Sequence, residues 1–159
     1  MKQMKMALAL VAVLGLSTGA QAATTGTLNL SGTILSLVSI VVTANSSASN
    51  LDLTSNQTDL LVGTVSESSN ALLGYRIKAK STNGSKLKHT AAADAVNYTI
   101  KYGTGASTTL TTVDQVAKTQ STAGVYNNVV SNVTLSYTGS ATLTAGSYSD
   151  GITFTIEAL

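Results

Sequence analysis

The chain has 159 residues with no cysteine, no tryptophan, no proline and one histidine, and nine basic against seven acidic residues give a formal charge of +2. The lack of cysteine removes any disulfide framework, thiolate metal site or cysteine nucleophile; a lone histidine gives a metal centre no second imidazole, and Ser–His–Asp catalysis would have to rest on His89 alone. The near-neutral balance offers no basic patch for nucleic acid and no acidic tail for a cationic partner.

Met1–Met6, MKQMKM, carries Lys2 and Lys5. Ala7–Leu16, ALALVAVLGL, is an uncharged apolar run, and Ala20-Gln21-Ala22 is a small-x-small site. Basic, apolar and small-residue segments in that order make a secretory signal peptide. The apolar run is shorter than the about 20 residues that a bilayer span needs. Residues 1–22 are therefore read as a signal, with cleavage after Ala22. Two of the nine basic residues and all three methionines leave with it, so seven basic residues then face seven acidic ones. No second apolar run of transmembrane length follows, and no lipobox cysteine exists. An exported chain without cysteine must be held by packing and backbone pairing alone.

Gly26–Leu35, GTLNLSGTIL, alternates Leu28, Leu30, Gly32 and Ile34 with Thr27, Asn29, Ser31 and Thr33, the pattern of a strand with one buried face. Leu37–Val42 is nearly all apolar, as for a strand buried on both faces. Asn45–Asn50 reads as a loop, Leu51–Leu53 as a short alternating piece, and Asp59–Ser69 as a strand around Leu61–Val65. Leu73–Thr82 sets Tyr75, Ile77 and Ala79 against Arg76, Lys78 and Lys80. Asn83-Gly84 is a hairpin signal, returning through Lys86–Ala91. Val96, Tyr98, Ile100 and Tyr102 alternate next. Thr111–Thr119 reads as a short helix capped by Thr112, although its threonines and valines disfavour one. Val133, Leu135 and Tyr137 share a face. The last segment sets Ile152, Phe154, Ile156 and Ala158 against Thr153, Thr155 and Glu157. About eight short strands with frequent turn signals predict an all-β sandwich of one domain. Periodicity does not separate Ig-like strand order from a jelly roll.

No catalytic motif emerges. His89 follows Lys86 and Lys88 without neighbouring ligands, and the seven carboxylates are scattered, mostly at turns. Gly103–Ser107, GTGAS, lacks the Gly-Lys-Thr/Ser ending of a phosphate loop and reads as a turn. The six tyrosines suit core or strand-edge packing better than a sugar-binding face. The expectation is a non-enzyme with no catalytic residue, cofactor or metal.

Gly26–Val42, GTLNLSGTILSLVSIVV, resembles the mature start of subunits of bacterial chaperone–usher pili, in which an alternating donor strand with a glycine at one buried position leads into the first domain strand. The ending, LTAGSYSDGITFTIEAL, is similar to that of spore coat protein U-like domains and pilin-like families, where a Gly-x-Tyr turn precedes a last alternating strand. The resemblance implies an Ig-like β-sandwich that lacks its last strand, with residues 23–35 a donor-strand extension and 36–159 a single domain. It implies a structural subunit of a surface fibre or coat that polymerises by donor-strand exchange and supports adhesion or biofilm. Leu28, Leu30, Gly32 and Ile34 would be donor residues; Ile152, Phe154 and Ile156 would form the acceptor edge and chaperone contact. Partners would be neighbouring pilin-like subunits, as a homopolymer, with a periplasmic chaperone and an outer-membrane usher. The route would run through the periplasm to the cell surface or an extracellular fibre. The alternative is a self-contained, monomeric surface or carbohydrate-binding sandwich, with Gly26–Leu35 paired in its own sheet.

Overall fold

Alternation of apolar and polar residues dominates the chain, and strands dominate the fold. The computed structural model describes residues 24–159; the expected export signal, residues 1–22, lies outside them. Among the described residues nine strands form: β1 (Val38–Ala44), β2 (Gln57–Ser69), β3 (Tyr75–Ser81), β4 (Lys86–His89), β5 (Ala95–Tyr102), β6 (Gln115–Gln120), β7 (Tyr126–Tyr137), β8 (Tyr148–Ser149) and β9 (Ile152–Ala158). One 3-10 turn, Ser46–Ser49, is capped by the Asn45 side chain, which accepts the Ser47 N–H. The strands make two antiparallel sheets that pack as a β-sandwich: β1-β2-β7-β5-β4-β8 and β6-β3-β9.

Period-two patterning sets the two inner faces. Tyr75, Ile77 and Ala79 of β3 are buried, while Arg76, Lys78 and Lys80 face outward. Val96, Tyr98, Ile100 and Tyr102 of β5 and Val133, Leu135 and Tyr137 of β7 complete most of the opposite wall. Glu67 of β2 also points inward and is wholly buried. Its carboxylate accepts hydrogen bonds from Tyr75 Oη at 2.6 Å, Tyr102 Oη at 2.5 Å, Ser131 Oγ at 2.8 Å and Lys118 Nζ at 2.7 Å. Burial alone raises its pKa, but Lys118 and the three hydroxyls outweigh it and hold the carboxyl below the ordinary glutamate value. Burial and the facing carboxylate push both tyrosines up, so they stay protonated donors.

Four elements differ from the sequence reading. Residues 24–37 carry no secondary structure, so Gly26–Leu35 is not a strand here: a strand needs a partner edge, and this segment has none in the chain's own sheets. β1 is a sheet edge rather than a strand buried on both faces, with Val41 58% and Val42 52% exposed. Asn83-Gly84 does not close a hairpin, because β3 and β4 belong to different sheets. Ser81 Oγ accepts the Ser85 N–H and turns the chain across the sandwich, with Gly84 and Ser85 both at positive φ. The expected helix over Thr111–Thr119 is instead the approach to β6, where β-branched residues meet the free edge of β3.

Gly74 opens β3 at φ +90, a conformation that favours glycine. A Cβ there would stand 1.8 Å from the Gln120 carbonyl oxygen, a backbone atom that cannot step aside. Gly74→Ala is expected to destabilise by about 2 kcal/mol or more, from steric strain at positive φ plus the clash. Denaturant unfolding would read this as a lower midpoint at unchanged slope.

Candidate functional site

Each sheet is left with one apolar edge facing the other. β9 pairs only with β3 and β1 only with β2, so one row of backbone groups on each points away from its sheet. The two edges face each other, and among the described residues no strand lies between them. The inner side of β1 carries Val38, Ile40, Val42 and Ala44 in sequence. Val38 and Ile40 pack with Ile156 against the cluster of Val65, Tyr75, Ile77, Tyr102 and Val133, which closes one end of the gap. Farther along, Val42 and Ala44 stand across from Ile152 and Phe154, and the gap widens into a groove of about 230 Å³. Val62, Leu87 and Leu135 also line it, and Ala48 and Leu51 stand where the chain leaves β1.

One carboxylate, Asp150, reaches this groove. It accepts hydrogen bonds from Ser81 Oγ at 2.6 Å, Tyr98 Oη at 2.7 Å, the Asn83 N–H at 2.9 Å and the Gly151 N–H at 2.7 Å. These bonds tie down the crossing between the sheets and use the oxygens fully. What remains in the groove is apolar side chain and unpaired strand backbone. That chemistry suits an extended peptide with alternating apolar residues, which would bond to the edge and fill the floor.

Ile152 and Phe154 line the groove, whereas Ile156 lies at its closed end, packed into the core. Leu28, Leu30 and Ile34 are 82%, 86% and 88% exposed. A Cβ on Gly32 would meet nothing within 4 Å among the described residues. Sequence reasoning did not find Val42, Ala44, Leu87, Leu135 or Asp150 as groove residues. Their apolar or turn character was legible, but which of them faces an absent strand depends on how the two sheets meet.

Other polar groups serve the fold. His89 Nδ1 accepts the N–H groups of Ala91 at 2.9 Å and Ala92 at 2.6 Å, and its ring meets Tyr148 edge-on at 4.9 Å. Tyr75, Tyr98, Tyr102 and Tyr137 are buried in the core. Among the described residues, no three His, Asp or Glu side chains gather as metal ligands, and no helix is long and apolar enough to cross a membrane.

No family model matches the chain, and no curated protein sequence matches it. Among solved structures it is similar to the minor tip subunit HdaB of the Escherichia coli Hda pilus, at 13% identity and a TM-score of 0.39, over 74% of this chain and 79% of that one.

Proposed function

We propose that the chain is a structural subunit of a surface fibre and polymerises by lending residues Gly26–Leu35 to the groove of a neighbouring copy. The observation that carries this reading is an apolar groove between two unpaired edges, in a chain whose own N-terminal segment is patterned for burial yet lies exposed. Leu28, Leu30 and Ile34 would enter the groove as alternate side chains, contributing roughly 1.5–3 kcal/mol each on full burial. Backbone pairing with β9 and β1 would satisfy both open edges. Gly32 would let the donor backbone pass where the groove is shallow. Donor and acceptor are different surfaces, so the contact is head-to-tail and extends rather than closes.

An unpaired apolar edge is an aggregation hazard during export. A periplasmic chaperone that lends a strand of its own would cover it, and an outer-membrane usher would be the site of exchange. The fibre would stand on the cell surface and support adhesion or biofilm. On this reading the role is structural, and the apolar lining of the groove suits strand binding.

The test compares the exported protein, with its assembly partners, against Leu30→Lys on denaturing gels with and without boiling. The expected result is a ladder of detergent-resistant multimers that boiling dissolves, absent in Leu30→Lys while its monomer persists. Monomer alone in both, with assembly partners present, would overturn the fibre reading.

A further inference from the structure

The pole of the sandwich from which the chain departs toward its N-terminus is built from apolar loops without charged side chains. Asn70, just after β2, fastens that departure. Its Oδ1 accepts the Leu37 N–H at 2.6 Å, its Nδ2 donates to the Leu35 carbonyl at 3.1 Å, and its own N–H donates to the Leu37 carbonyl at 3.1 Å. The β2–β3 turn, residues 70–74, and the β6–β7 loop, residues 121–125, stand at the same end. Gly74 closely approaches Gln120 and Ser121, and Leu37 and Val125 line one shallow dent. Leu35, Leu37, Leu72, Leu73 and Val125 are each between 63% and 83% exposed. Residues 35–39, 70–74 and 121–125 contain no charged side chain. Single exposed leucines are ordinary on a protein surface, but five large apolar side chains on loops without charged side chains mark an interaction surface.

We propose that this pole docks end-on against the opposite pole of a second copy of the chain, beside the open end of that copy's groove. The inference rests on the fibre reading above, and the short linker carries it. Ile34 is the last residue of the alternating donor set, and Leu37, three residues on, is fastened by Asn70. Three residues reach at most about 10 Å. With Ile34 seated in a neighbour's groove, the apolar pole cannot stand clear of that neighbour. The groove is closed where Val38 and Ile40 pack with Ile156 and open where Val42 and Ala44 face Ile152 and Phe154. The linking chain therefore leaves the acceptor at the open end, next to Ala48 and Leu51. The apolar pole of one copy then meets the Asn45–Asn56 loop of the next, and the same contact repeats along the fibre. It would bury the exposed leucines and limit bending between subunits.

Because the chain contains no cysteine, introduced thiols report the contact without background. Val125→Cys and Ser49→Cys would be made singly and together in the full chain, assembled into multimers and treated with a short bismaleimide. The expected result is a ladder that survives boiling in the double variant only. Adding Leu72→Glu to the double variant is expected to remove that cross-link while the heat-sensitive ladder persists. A boiling-stable dimer from Val125→Cys alone would mean that like poles meet, and would overturn the head-to-tail contact. Heat-sensitive multimers with no cross-link in the double variant, or with cross-linking untouched by Leu72→Glu, would overturn the apolar contact but leave strand exchange standing. Failure of the unsubstituted chain to form heat-sensitive multimers would overturn the fibre reading itself.

Discussion

A chain that begins at Ile34 and carries the Gly26–Leu35 sequence behind Leu159 instead, joined by a short glycine-rich turn, is expected to be monomeric. It is expected to melt roughly 10 °C or more above the same chain without the addition. The geometry permits the connection. The Leu159 N–H donates to the Gly74 carbonyl at 3.0 Å, so β9 ends at the pole where β3 begins. A turn there sends the added segment back along the free edge of β9 toward Phe154 and Ile152 and the open end of the groove. Three buried side chains at roughly 1.5–3 kcal/mol each, plus strand pairing, exceed the cost of ordering a ten-residue segment only if register and groove agree. Thermal melts followed by circular dichroism would read the shift. The matched control places lysine at the position that copies Leu30 and is expected to melt like the chain without the addition. Equal melting of the two fused chains would show that the groove does not select the alternating face.

Glu67→Ala is expected to be the most damaging single substitution in the core. It leaves the buried hydroxyls of Tyr75, Tyr102 and Ser131 without their acceptor and Lys118 without its counter-ion. Removing one member of a buried ionic network costs about 3–5 kcal/mol. Urea unfolding at pH 7 would measure it. The same network predicts acid sensitivity. The folded-state pKa of Glu67 lies below its ordinary value of 4.5. Its contribution is therefore fully present above pH 4.5 and is lost as pH falls through the folded value. The Lys78 ammonium holds Glu157 low, and the Thr54 and Thr144 hydroxyls do the same for Asp52 and Asp94, so all three add the same sign. The stability curve is expected to fall on the acid side, with a shallower fall in Glu67→Gln. An acid limb of equal depth in both chains would place the sensitivity elsewhere.

Much of the strand content was legible because period two is a local property. Tyr75, Ile77 and Ala79 alternate with Arg76, Lys78 and Lys80, and that pattern alone places the first set inward. The same argument identified Val96 to Tyr102 and Val133 to Tyr137 as inner faces. It failed where the deciding partner is distant. Asn83-Gly84 carries the local signature of a hairpin, yet Ser81, Ser85 and Asp150 bond across it and deliver β4 to the other sheet. Thr111–Thr119 has weak propensity of either kind, and the free edge of β3 settled it as a strand. Glu67 sits on the inward face of a polar stretch, Thr64 to Ser69, and only three hydroxyls and a lysine from elsewhere in the chain make its burial tolerable.

The sequence by itself determined an all-β chain held without disulfides, the inward face of most strands, and an N-terminal segment patterned for burial. These follow from residue types and spacing within a few positions. Only the tertiary structure decided that β1 and β9 end their sheets and face each other across an apolar groove, and that the exposed Leu35, Leu37, Leu72, Leu73 and Val125 share one pole. Sheet order and open edges arise from pairings between strands far apart in the chain, such as β2 with β7 and β3 with β9. Their relative fit depends on the packing of the whole sandwich, so no local pattern can encode which edge is left without a partner.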